Sequence, residues 1–380
     1  MSSLYFHIPF CERKCIYCDF YSIETLSPIE EFLSALKIEI ALQEQFHGEK
    51  FETIFFGGGT PSLLSPPQLE NIFNLIYKHF SISRNAEITV ECNPETVDKE
   101  KLTAYRSLGV NRLSFGVQSF FEDDLQFLSR IHNSQKAKEA IRLAHKADFE
   151  NVNLDLIFAL PNQTQERWKQ NLEQAIELEP AHISAYSLIV EQNTPLNRLV
   201  STNQVTMLSN ETDATMYEMT MEFLEKKGFE HYEVSNYGKK NFHCQHNKNY
   251  WNHTNYLSFG PSAHSFWQNG ISKRWWNIAN LSTYTQKLFD NQLPIAGEET
   301  LSAEQLFEET IMLGLRSEGF DLEKVKSNFG IDFLTQHYEL IPELLSNDFI
   351  FFEKNILRLT RKGFLLCEEI VQRLLSKVTA

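Results

Sequence analysis

The chain has 380 residues, 42% of them hydrophobic and 22% charged, a globular composition large enough for one big domain or two. Its 35 Lys and Arg face 50 Asp and Glu, and the net charge of −15 argues against nucleic acid or an anionic membrane as a general partner. The opening MSSLYFHIPF lacks the basic and apolar regions of a signal peptide, and no run of about 18 apolar residues is present, so a cytoplasmic location is expected.

Short apolar runs alternate with amphipathic segments up to about residue 230. Strands are predicted at 4–8, 53–57, 87–91, 112–116, 151–158 and 182–189. Between them, Ser65 with Pro66 and Gln68 reads as a capping box with proline at the first helical position. Leu69, Ile72, Phe73 and Ile76 then follow at the spacing of one buried helix face. Ala137, Ala140, Ile141 and Ala144 repeat that spacing, as do Trp168, Leu172, Ala175 and Ile176. Strand–helix alternation implies a parallel sheet with right-handed crossovers, either a partial barrel or an open sheet. In both, ligands gather at the carboxyl ends of the strands.

From residue 236 the rhythm breaks. NYGKKNFHCQHNKNYWNHTNYLSFGPSAHSF shows neither helical nor strand period, so 236–300 is expected to be an irregular connecting segment after a core spanning 1–235. Residues 301–380 then read as helices over 303–316, 321–328 and 333–346, a hairpin (349–353 and 356–360) and a closing helix over 362–375. This is the order of a small winged-helix-like α+β module. Its 9 Lys or Arg against 13 Asp or Glu make it a poor DNA binder, so a covering or docking role is expected.

Three of the six cysteines, Cys11, Cys15 and Cys18, are spaced C-x3-C-x2-C just after the first strand. A structural zinc site wants four ligands, usually as two separated pairs, whereas iron–sulfur clusters are held by thiolates. Three thiolates on a four-iron cube would leave one iron open to a small molecule; zinc and plain reduced thiols are the alternatives. Cys92 and Cys367 stand alone in apolar contexts and read as packing residues. FFGGGTP (55–61), after the second strand, is either a tight turn or a backbone surface for a ligand. Asp155, in an apolar strand, needs a polar partner if buried.

The cysteine loop, with an aromatic before its third cysteine, resembles that of the radical S-adenosylmethionine (SAM) superfamily. HIPFCERKCIYCDFYS is similar, more narrowly, to the relatives of anaerobic coproporphyrinogen III oxidase. That resemblance implies a partial (βα)6 barrel, a 4Fe–4S cluster on Cys11, Cys15 and Cys18, and SAM chelated by the open iron. It also implies SAM contacts from Gly58, Gly59, Thr60, Glu91, Gln118, Arg130 and Asp155, with Tyr5 and Tyr17 as aromatic neighbours of the cluster. For Arg130 a surface ion pair is the competing reading. Gly59→Val is expected to weaken SAM binding while sparing iron.

Within the family, two functions compete: oxidative decarboxylation of coproporphyrinogen, or carriage of haem to an acceptor protein, a membrane-associated one included. The oxidases continue their motif to a fourth cysteine, where this chain has Phe20, and carry a long segment ahead of the loop, where ten residues precede Cys11. HNKNYW (246–251) matches the HNxxYW motif typical of the haem-chaperone group. The resemblance therefore favours the chaperone, with enzymatic activity left open and a different radical reaction on a tetrapyrrole as a third reading. His246 is the leading candidate for the haem ligand, with Cys244 and His264 as alternatives and a purely structural histidine as the competing reading.

Overall fold

The computed structural model describes residues 2–376. Met1 and 377–380, the outermost residues of the first and last expected segments, lie outside the described residues. Six strands pair in chain order, each parallel to the next: β1 (Ser2–Ile8), β2 (Lys50–Gly58), β3 (Ser81–Cys92), β4 (Arg112–Gln118), β5 (Asn151–Phe158) and β6 (His182–Ser187). Because every crossover steps the same way with the same hand, the intervening helices fall on one face and the other face curls inward. The result is a partial (βα)6 barrel. On its outside, Ser65 Oγ accepts the N–H of Gln68 while the Gln68 side chain accepts that of Ser65, and Leu69, Ile72, Phe73 and Ile76 of Pro66–His79 are buried. Such a box is worth about 1 kcal/mol.

The pairing register stacks inward-facing residues in layers. Ser3, Thr53 and Glu87 form one; Tyr5, Phe55, Thr89 and Arg112 the next; then His7, Gly57, Glu91, Ser114, Asn153 and His182. This lining is largely polar, so the barrel interior is held by hydrogen bonds as much as by apolar contact.

Segment 236–300, expected to be irregular, is regular. β7 (Glu230–Glu233) and β8 (Asn236–Gly238) extend the sheet antiparallel beyond β6. On the other edge β9 (Asn255–Phe259) runs parallel to β1, followed by antiparallel β10 (His264–Asn269), β11 (Ile271–Asn277) and β12 (Ile295–Thr300). No period was visible because these side chains are spent on particular partners. Buried Glu39 accepts hydrogen bonds from Gly260 N (2.9 Å), Asn277 Nδ2 (2.6 Å) and Tyr284 OH (2.6 Å), tying the helix Ile29–Leu42 to this extension. Phe6 stacks on Phe259 at 5.0 Å and Phe46 packs on Trp267 at 4.6 Å.

Beyond residue 301, helices and a small antiparallel sheet, β13 (Phe320–Asp321), β14 (Ile350–Glu353) and β15 (Ile356–Leu359), surround an apolar cluster that includes Phe307, Ile311, Leu344 and Leu374. The helix expected over 333–346 is two, Phe333–Gln336 and Leu340–Ser346. Pro342 is the reason: it lacks an N–H and is tolerated only in a first turn, so the helix restarts just ahead of it.

Candidate functional site

The carboxyl ends of β1 to β6 open onto a cavity of about 430 Å³. Cys11, Cys15, Tyr17, Cys18, Gly58, Gly59, Thr60, Glu91, Gln118, Arg130 and Asp155 all line it. Residues from six distant stretches of sequence therefore meet in one place. The cysteine loop is anchored from below: Cys11 N donates to Ile23 O (3.0 Å), and Gly59 N and Thr60 N donate to Ile8 O (2.8 Å) and Phe10 O (2.7 Å). Lys14 Nζ closes the loop on Phe20 O (2.9 Å). Thr60 Oγ1 donates to Cys11 Sγ at 3.6 Å, and Arg130 Nη1 to Cys15 Sγ at 3.2 Å. Arg130 also donates to Gly116 O (2.6 Å), so the surface ion pair considered for it is not formed.

The glycine triplet serves the chain itself more than expected. A Cβ on Gly58 (φ +107°) would meet the His7 ring at 2.7 Å, and one on Gly59 would lie 2.6 Å from Phe10 O. Gly59→Val therefore strains the cysteine loop directly, and the expectation that it would spare iron is corrected: both iron and ligand binding should suffer.

Burial without full pairing marks the cavity wall. The Glu91 carboxyl is pushed up to about 8, by burial first and then by the Asp155 charge. Burial likewise raises Asp155, although Ser114 Oγ (3.2 Å) and Asn153 Nδ2 (2.8 Å) donate to its two oxygens. Gln118 sits at φ 69°, in the left-handed region that is uncommon for a residue other than glycine, and its buried Oε1 has no partner. Burial also raises the Cys11 thiol, and pushes that of Cys18 up to about 11. Phe20, Tyr186 and Ile189 at the rim are 64%, 41% and 63% exposed, an apolar lip on a polar floor.

The opposite, amino end of the barrel is plugged by the helix Gln245–Trp251. Glu87 accepts the N–H groups of Gln245 and His246, each at 3.0 Å, and the Cys244 thiol at 3.5 Å, capping that helix. Asn249 Nδ2 donates to Ser3 Oγ (2.9 Å). His246 is 1% exposed, with Nδ1 bonded to Thr53 Oγ1 (2.8 Å), Nε2 to Tyr250 OH (2.9 Å), and its ring stacked on Phe55. Burial lowers it to about 3, so it is neutral. Neither His246 nor buried Cys244 presents a free ligand atom, and neither reaches the cavity. The polar atoms proposed from sequence as haem ligands are here the ones that hold the plug closed. Tyr5 also stands behind the wall, between Glu91 and His246, with its OH on His7 Nδ1 at 3.1 Å. His264 is on the exposed side of β10, stacked on Trp276.

The radical SAM superfamily model matches residues 5–175 and the HemN C-terminal domain model residues 301–366. The haem chaperone HemW of Lactococcus lactis is 36% identical over 98% of this chain and 97% of its own length. This chain belongs to the HemW family of radical SAM proteins. The HemW of Bacillus subtilis is 33% identical over 100% of both chains. The solved structure of coproporphyrinogen III oxidase (HemN) from Escherichia coli superposes with a TM-score of 0.83 over 98% of this chain and 89% of that one, at 22% identity, and shows the common fold.

Measured against this HemW-family fold, the motifs marked the cavity residues but not what supports them. Asn153, Ser114, Arg112, His182 and Glu87 are all buried inside the barrel. Their signal was the alternation of polar residues along each strand: Glu87, Thr89 and Glu91; Arg112 and Ser114; Asn153 and Asp155; His182 and Ser184. Asp155 is one of such a pair, not a lone carboxylate in an apolar strand.

Proposed function

We propose that this protein is a haem chaperone that binds haem and passes it to an acceptor protein, holding a 4Fe–4S cluster on Cys11, Cys15 and Cys18 and SAM in the adjoining cavity. What carries this reading is the joining of two things: likeness to HemW relatives along the whole chain, and a cavity where three thiols meet unpaired buried polar atoms.

The residues present fit those groups. Iron–sulfur clusters are held by cysteine thiolates, and the three thiols lining the cavity supply that donor set. When bound, the cluster supplies a one-electron reduction directed at the SAM sulfonium. Around it, Arg130 balances the thiolate charge at Cys15, and Thr60 donates to Cys11. Glu91 and Asp155 offer two carboxylates to a ligand carrying an ammonium and a sulfonium, and Gln118 Oε1 offers a free acceptor. In this reading 1–235 is the cluster and SAM core, 236–300 the sheet extension and plug, and 301–380 the covering module. Among the described residues no helix is long and apolar enough to cross a membrane; we place the protein in the cytoplasm, delivering to an acceptor that includes the membrane-associated class.

Anaerobic absorption titration of the cluster-reconstituted protein with haem, with and without SAM, tests the carrier function. Stoichiometric saturation is expected, and no saturable binding would overturn it. The apolar rim of Phe20, Tyr186 and Ile189 favours one second reading, a radical reaction on a tetrapyrrole docked at the mouth. It requires 5′-deoxyadenosine formed in step with tetrapyrrole loss.

A further inference from the structure

One hydrogen-bond chain runs the depth of the barrel, from the plug to the cavity. Cys244 N lies 3.2 Å from Tyr232 OH, which lies 2.7 Å from His182 Nε2. His182 Nδ1 lies 2.6 Å from Asn153 Oδ1, and Asn153 Nδ2 lies 2.8 Å from Asp155 Oδ1. Tyr232, His182 and Asn153 are at most 4% exposed, so water does not compete for these bonds. Only Asp155, at the end, lines the cavity.

The chemistry of the groups sets one direction along this chain. A backbone N–H can only donate, so the Tyr232 oxygen accepts from Cys244 and its own proton must go to His182 Nε2. His182 therefore carries its proton on Nδ1 and donates to Asn153 Oδ1. That turns the Asn153 amide so that its N–H groups face Asp155, whose oxygen is then an acceptor. In the reverse direction, the Tyr232 hydroxyl proton would point at the N–H of Cys244 and have no acceptor, a costly state when buried.

We infer that Tyr232 is a positioning residue for the cavity: through the tautomer of His182 and the orientation of Asn153, it holds the Asp155 carboxylate ready to accept hydrogen bonds from a bound ligand. This rests on the SAM site proposed above. It also gives the HNxxYW-bearing segment a role, because the backbone of Cys244, where the plug helix begins, fixes the direction of the whole chain.

Two readouts on the full-length protein test it. The first is the ¹⁵N–¹H spectrum of histidine side chains, with the His182 signal identified by its loss in His182→Gln among the 12 histidines. His182 is expected to be protonated at Nδ1 and to lose that state in Tyr232→Phe. A proton on Nε2, or a His182 signal that Tyr232→Phe leaves unchanged, would overturn the inference. The second is calorimetric SAM affinity of the cluster-loaded protein. Tyr232→Phe should weaken it about tenfold at unchanged iron content, an effect that structural packing alone does not give; unchanged affinity would overturn the positioning role. If the cluster-loaded wild type binds no SAM, the SAM site fails and the proton position alone decides the chain's direction. Should Tyr232→Phe not fold, the wild-type spectrum still decides it.

Discussion

The two ends of the barrel are built on opposite terms. At the mouth, carboxylates face each other, Gln118 sits in a strained conformation with an orphan oxygen, and three thiols lie side by side. At the plug, Glu87 takes three donors, both nitrogens of His246 are paired, and Asn249 holds Ser3. Unpaired buried groups cost stability and persist where a ligand completes them; fully paired ones stabilise the fold. His246, inside a sequence motif, thus lies at the fully paired end, while Gln118 lies at the end with unpaired buried groups.

The largest expected effect that sharpens this contrast is at the cysteines. Cys15→Ala should lose most of its iron and sulfide after reconstitution while keeping a cooperative melt; normal iron content would break the cluster assignment. At the plug the response should reverse. Glu87→Ala leaves the capped N–H groups without their acceptor and Arg112 beside an uncompensated site, and should cost about 3 kcal/mol in denaturant unfolding. A loss under about 0.5 kcal/mol would show that the plug is not stabilising.

Asp155→Asn separates the ends more finely. Its shape is kept and a buried charge removed, so stability should stay within about 1 kcal/mol. SAM affinity should fall about tenfold, the worth of a charge-assisted hydrogen bond. An equal loss of stability would make Asp155 structural.

The smallest effect is in pH. Glu91, with a carboxyl pushed up to about 8, is mostly protonated at neutral pH without ligand. A cationic ligand favours its ionised form and lowers its pKa, so binding releases a proton below pH 8. SAM affinity should therefore rise with pH up to about 8, by at most about tenfold per unit, and level off above. Glu91→Gln should flatten that slope, and an unchanged slope would assign the proton elsewhere.

Gln118 and Arg130 were reached only through the family resemblance, whereas the parallel strands and the cysteine loop were legible from local marks: apolar runs of strand length, and three thiols within eight residues. Residues 236–300 were not, since β9 to β12 are specified by partners far away in sequence, as in Glu39 with Asn277 and Tyr284. Nor was the role of His246: a sequence shows the residue type but not that Thr53 and Tyr250 already hold both of its nitrogens. Pro342 was in plain view and should have divided the 333–346 helix.

The most direct test of the central claim is calorimetric titration of SAM into cluster-loaded and cluster-free protein, side by side. If Cys11, Cys15 and Cys18 hold a cluster facing the cavity, saturable binding should appear with the cluster and be much weaker without it. Equal affinity in both states, or none in either, would contradict the account.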